Sequence, residues 1–174
     1  MKNAIQQKSG FARFIQGTTA PGPIPWQVLL RRGSPSFSYI TFFGGTIIDA
    51  KTILTAAHCI EKFGTKLDDF FIFAGAVSQY DNSGQNVFVE SIKLHESYCN
   101  EACAAKGGIL LDNDIAIVKL KNPLIFDDKV QPACLPDALF IPKGIGVASG
   151  WGRINPVSQH YPPKFPENLQ VGVK

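Results

Sequence analysis

An imidazole and a carboxylate, each delivered by an apolar run, are the residues here whose types and placement suit proton chemistry. Thr52-Ile53-Leu54-Thr55-Ala56-Ala57-His58-Cys59 is a β-branched run that ends in two small residues and a histidine, and it reads as a strand delivering His58. Histidine takes and gives protons near neutral pH, so one held at a strand end by a rigid scaffold is a general-base candidate. Taken singly, a histidine is more often a structural residue. A second stretch, Asp112-Asn113-Asp114-Ile115-Ala116-Ile117-Val118-Lys119-Leu120, sets an acid at the mouth of another strand-like run. A buried carboxylate there could orient the imidazole.

The elements that must position these two residues follow from composition and punctuation. The 174 residues fit one ordinary domain, with 45% hydrophobic and 18% charged residues, 16 Gly and 12 Pro, which describes a foldable, turn-rich chain. Its net charge of +3 is scattered without a block, which argues against nucleic acid or a membrane surface as partner. No apolar run approaches the length of a membrane span, and Met1 to Arg13 lack the hydrophobic centre of a signal peptide.

Phe11 to Pro25 reads as an extended surface lead-in, because its prolines forbid regular pairing. Trp26 to Arg31 and Phe37 to Phe43 have hairpin-like spacing, and Gly44-Gly45 is expected to break the second strand before Thr46-Ile47-Ile48. Phe70 to Ala74, Val87 to Leu94 and Ile115 to Leu120 supply further strands, while Ala56 to Phe63 suits one or two helical turns. Short strands without a long helical period predict an all-β barrel or sandwich. From Asn122 to Gly144, Pro123, Pro132, Pro136 and Pro142 mark a connector.

With His58 and Asp114 both in view, the chain resembles the trypsin and chymotrypsin family of serine endopeptidases. Thr55-Ala56-Ala57-His58-Cys59 is similar to the family's histidine motif, and Asn113-Asp114-Ile115-Ala116-Ile117-Val118-Lys119-Leu120 to its aspartate motif. Pro25-Trp26-Gln27-Val28, Ala133-Cys134-Leu135-Pro136 and Ser149-Gly150-Trp151-Gly152 match in the family's order. The resemblance implies a chymotrypsin-type antiparallel Greek-key barrel at residues 14–121 and a tail or pro-segment at 1–13. It also implies a linker at 122–144 and the truncated start of a second barrel at 145–174. His58 and Asp114 would be the catalytic base and its orienting acid, and Arg13-Phe14 the activation cleavage site, with Phe14 departing from the usual Ile. No cofactor or metal is implied. The implied partners are a protein or peptide substrate for the full-length form, and the second barrel within the molecule. The implied location is extracellular.

The family's chain order places its nucleophilic serine after the aspartate. The serines following Asp114 are Ser149 and Ser158, and neither has the Gly-Asp-Ser-Gly-Gly surround that makes the family's oxyanion hole. The expectation is therefore a serine endopeptidase present as an N-terminal portion, inactive by itself. The alternative is a non-catalytic homologue that acts as a binding or regulatory protein.

The four cysteines also depart from the resembled pattern. The usual partner of Cys59 is replaced by Phe43, and residues 1–13 offer Cys134 no tether. The simplest reading bonds Cys99 to Cys103 in an insertion-like loop and leaves Cys59 and Cys134 free. A Cys59–His58 dyad is disfavoured, because adjacent side chains on a regular backbone point apart. His95, Cys99 and Cys103, four apart, would share a helix face as zinc ligands; Gly107-Gly108 and the want of a clear fourth ligand favour a loop disulfide instead.

Overall fold

The computed structural model describes residues 17–34, 38–61, 67–81, 83–141, 143–155, 162 and 164–173. Arg13, Phe14, Ser158 and His160, singled out in the sequence, lie outside the described residues.

Nine strands and two single-turn helices form among the described residues. The strands are β1 (Thr18–Thr19), β2 (Gln27–Ser34), β3 (Ser38–Asp49), β4 (Thr52–Thr55), β5 (Phe70–Ala74), β6 (Gln85–Leu94), β7 (Ala116–Leu120), β8 (Val147–Gly150) and β9 (Gln170–Val173). The helices are α1 (Ala57–Ile60) and α2 (Glu101–Ala104). Six strands close into an antiparallel barrel in the order β2-β3-β4-β7-β6-β5, and β1-β9-β8 form a separate sheet. The fold is thus all-β, with a barrel of the chymotrypsin type.

Side-chain alternation explains the closure. Ala116, Val118 and Leu120 of β7 point inward with Val28, Leu30, Ile47, Ile53, Phe70 and Ile72, while Lys119 points out and donates to Thr52 Oγ1 at 2.6 Å. β5 is apolar throughout because both of its faces are covered. Phe70, Ile72 and Ala74 fill the barrel, whereas Phe73 joins Leu29, Ala20, Ala76, Trp151 and Leu169 in a second cluster under the small sheet. Polar contacts close the same seam: Trp151 Nε1 donates to Val77 O at 2.9 Å, and Gln79 Nε2 to Pro166 O at 2.8 Å. Arg31, buried in β2, lies over the Phe73 ring at 3.8 Å and donates through Nη2 to Gln79 O.

Two expectations are corrected. Gly44-Gly45 does not break a strand: β3 runs through both, with Gly45 opposite Val28 and Gly44 opposite Leu29. The glycine at 45 answers to space rather than flexibility, since an added Cβ would meet Ile53 Cγ2 at 2.7 Å and Leu30 and Val28 at 3.1 Å. The lead-in is also not unpaired. Thr18 and Thr19 pair with Val171 and Gln170, because the prolines that follow leave these two amides free to do so.

The proline-rich connector is fastened to the barrel, with Leu124 N donating to Ala50 O at 2.8 Å, Gln131 N to Pro25 O at 3.0 Å and Ala133 N to Ile47 O at 2.8 Å. Leu124 and Val130 are buried there.

Overpacking a closed core costs about 1–3 kcal/mol. Gly45→Ala should therefore lower the unfolding free energy by roughly that amount in urea titration. Gly22→Ala, where a Cβ meets nothing within 4 Å, should leave it nearly unchanged.

Candidate active site

Strand pairing brings the two stretches together. β4 and β7 are neighbours in the barrel with Thr55 opposite Ala116, so the chain leaving β4 and the chain entering β7 emerge at the same rim. His58 lies in α1 on the first, and Asp114 two residues before β7 on the second.

The Asp114 carboxylate meets His58 twice. Its Oδ2 accepts from the ring Nδ1 at 2.6 Å, and its Oδ1 accepts from the backbone N–H of His58 at 2.8 Å. The second bond does the work of a helix cap. Ala56, at the N-cap of α1, has no side-chain acceptor for the first-turn amides, and Asp114 supplies one from the adjacent chain entering β7. An ionised carboxylate only accepts, so the arrangement puts the neutral ring's proton on Nδ1 and leaves Nε2 as the basic nitrogen. The side chains are 35% and 21% exposed, open enough for a reacting group to approach.

Around the ring, Phe43 stands edge-on with centroids 6.1 Å apart. The Cys59 Sγ lies 3.5 Å from His58 Nε2, which corrects the expectation that these neighbours point apart. That expectation assumed a regular backbone, whereas α1 is a single turn starting directly from an extended residue. Cys59 is buried, and burial pushes its thiol up to about 12, with the negative charge of Asp114 adding to the effect. It is thus a protonated S–H beside a basic nitrogen, not a thiolate nucleophile.

Ser149 lines the groove beside Asp114 together with Gln27, Gly44, Thr55 and Ala56. Its hydroxyl donates to Gln27 Oε1 at 2.8 Å. Cys99 and Cys103 are joined in a disulfide, which uses both sulfurs that the zinc alternative required; α2 spans only Glu101–Ala104, so His95 shares no helix with them. His95 Nδ1 instead accepts from Ser97 N at 3.1 Å. Cys134 is an exposed free thiol.

Sequence reasoning missed a neighbouring polar cluster. Glu61, directly after α1, accepts from Tyr98 Oη at 3.1 Å and from Asn100 Nδ2 at 2.5 Å. Burial, then the bond to Glu61, pushes the Tyr98 phenol up to about 12, so it stays a donor. The available signal was Asn100 three residues before Cys103, since Asn100 Oδ1 caps α2 by accepting from Cys103 N at 3.1 Å.

The raised values have a sign. The fold prefers the neutral Cys59 and Tyr98, so their contribution is fully present below about pH 9, the ordinary thiol value, and is lost as pH rises toward about 12. Thermal melts should drop progressively across that window. Iodoacetamide at pH 8 should modify Cys134 in the native protein and reach Cys59 only after unfolding; rapid native labelling of Cys59 would contradict the buried, protonated thiol.

The chain is similar to several known proteins. The chain is 35% identical over 151 residues to coagulation factor IX of Cavia porcellus, covering 83% of this chain and 48% of that protein. It is 33% identical over 156 residues to coagulation factor IX of Oryctolagus cuniculus, covering 86% and 51%. Over 147 residues it is 35% identical to transmembrane protease serine 9 of Rattus norvegicus, covering 82% of this chain and 12% of that protein. The chain thus spans about half the length of the two coagulation factor IX relatives and 12% of the transmembrane protease. The family model described as Trypsin matches residues 14–173, and the chain belongs to the trypsin-like serine protease family.

Proposed function

We propose that this chain carries the acid–base half of a serine endopeptidase site. His58 Nε2 would take the proton of a serine nucleophile and return it to the leaving amine, while Asp114 holds the Nδ1 tautomer and stabilises the imidazolium. The observation that carries this reading is the double contact of one carboxylate with the ring and the backbone of His58. The substrate class is a peptide bond in a protein or peptide. An extracellular site of action belongs to the same reading, supported by the Cys99–Cys103 disulfide, a bond that persists in oxidising compartments.

The nucleophile is proposed to come from residues other than these 174. Ser149 is turned toward Gln27, and Ser158 lacks the glycine-rich surround of an oxyanion hole. By itself the chain would then be inactive, with a second barrel as the implied intramolecular partner. The second reading, a non-catalytic homologue that binds or regulates other proteins, is favoured by one contact: the Cys59 Sγ lies 3.5 Å from His58 Nε2, the nitrogen that a serine would have to reach.

A fluorophosphonate reagent should leave the 174-residue chain unlabelled and its peptide hydrolysis at background, with His58→Ala making no difference. Fusing the chain to the second half of a family relative that carries Gly-Asp-Ser-Gly-Gly should give labelling that depends on His58 and Asp114. A monodisperse, unlabelled fusion would favour the binding reading, and stoichiometric labelling of Ser149 or Ser158, abolished by His58→Ala, would overturn the assignment of the nucleophile.

A further inference from the structure

Glu61 bridges two pieces of chain that meet at His58 and Asp114. Its own backbone N–H closes onto Ala57 O, so it is an extension of α1, the turn that holds His58. Its carboxylate holds Tyr98 and Asn100. The segment around those two residues is in turn tied to the stretch that delivers Asp114: Cys99 N donates to Asp112 O at 3.0 Å, Leu111 N to Cys99 O at 2.8 Å, and Asn113 Nδ2 to Ser97 O at 3.1 Å.

That stretch needs holding. Leu111 and Asn113 have φ of 63° and 53°, the left-handed region, which persists in non-glycine residues when the surroundings over-determine it. The Cys99–Cys103 disulfide fixes those surroundings. It closes across Asn100, whose side chain caps α2 with one end and meets Glu61 with the other. Gly108 lies directly on it, since an added Cβ there would stand 2.5 Å from Cys103 Sγ and 2.6 Å from Cys99 Sγ.

We propose that Glu61 is a positioning residue for the His58–Asp114 pair, and that the Cys99–Cys103 disulfide keeps it engaged, so that the pair loosens on reduction. The proposal rests on the reading of His58 and Asp114 as an acid–base pair. β4–β7 pairing sets where the two residues emerge; the clamp through Glu61 sets how long their side-chain bond survives between openings. Reduction is a two-electron exchange: a dithiol gives two electrons and two protons to the Cys99–Cys103 bond, leaving two thiols, and itself closes to a disulfide. Asn100 is then no longer held between Glu61 and α2.

The test follows the Nδ1-bound proton of His58 in the 174-residue chain by NMR, reading its exchange with water. Glu61→Ala should raise that exchange roughly tenfold or more, as expected for losing hydrogen bonds to a charged acceptor. Glu61→Gln, which keeps an acceptor oxygen, should restore part of the protection, and Tyr98→Phe should lie between. The Cys99→Ser, Cys103→Ser double variant, or wild type treated with dithiol, should match Glu61→Ala and add nothing to it, while barrel amide signals stay native. Unchanged exchange in Glu61→Ala, Tyr98→Phe and the double serine variant would overturn the proposal, and so would a rise on reduction that simply adds to that of Glu61→Ala. Because the readout is not peptidase activity, failure of the fluorophosphonate fusion leaves this result standing, and the reverse holds as well.

Discussion

Asp114 gives both carboxylate oxygens to one residue, the backbone N–H and the ring Nδ1 of His58. The two bonds constrain different things. The backbone bond starts α1 at a position whose own N-cap, Ala56, offers no side-chain acceptor, and the ring bond then selects the tautomer. Removing the carboxylate would therefore disturb the local fold and the proton chemistry together. Hydrogen bonds to charged groups contribute about 1.5–3 kcal/mol each, less where solvent reaches them. The barrel makes this contact possible by placing β4 beside β7, and the close approach at Gly45 helps it close.

Besides Asp114, two side chains border the His58 ring. Phe43 makes a T-shaped contact with the ring, and the protonated thiol of Cys59 has its sulfur 3.5 Å from Nε2. A general base is useful only when its free nitrogen meets the group it deprotonates. The Cys59 sulfur lies 3.5 Å from that nitrogen, and the desolvation that keeps the thiol protonated denies it the thiolate form a competing nucleophile would need.

Local signals made some of this structure readable and left the rest hidden. The apolar run of β5 and the alternation of β7 announce strands, because burial on one or both faces writes itself into neighbouring residues. Whether His58 and Asp114 meet could be inferred only from resemblance, since 56 residues separate them and no local rule sets the barrel order. Gly44-Gly45 misled because glycine signals flexibility and close approach alike, and only the structure shows which applies. The pairing of Thr18-Thr19 with Gln170-Val171 has no local signature. Of the Glu61 cluster only the capping position of Asn100 had a local signal, and its meeting with Glu61 and Tyr98 acquires meaning only when α1 and the disulfide loop are seen side by side.

The central claim is that Asp114 holds the neutral imidazole of His58 with its proton on Nδ1. Nitrogen-15 spectra of histidine-labelled protein at alkaline pH report this directly, because the two ring nitrogens differ in shift according to which one is protonated. The account predicts a His58 ring protonated on Nδ1, with a far-downfield proton signal that disappears in Asp114→Ala. A ring protonated on Nε2, or one averaging between tautomers as a free imidazole does, would contradict it.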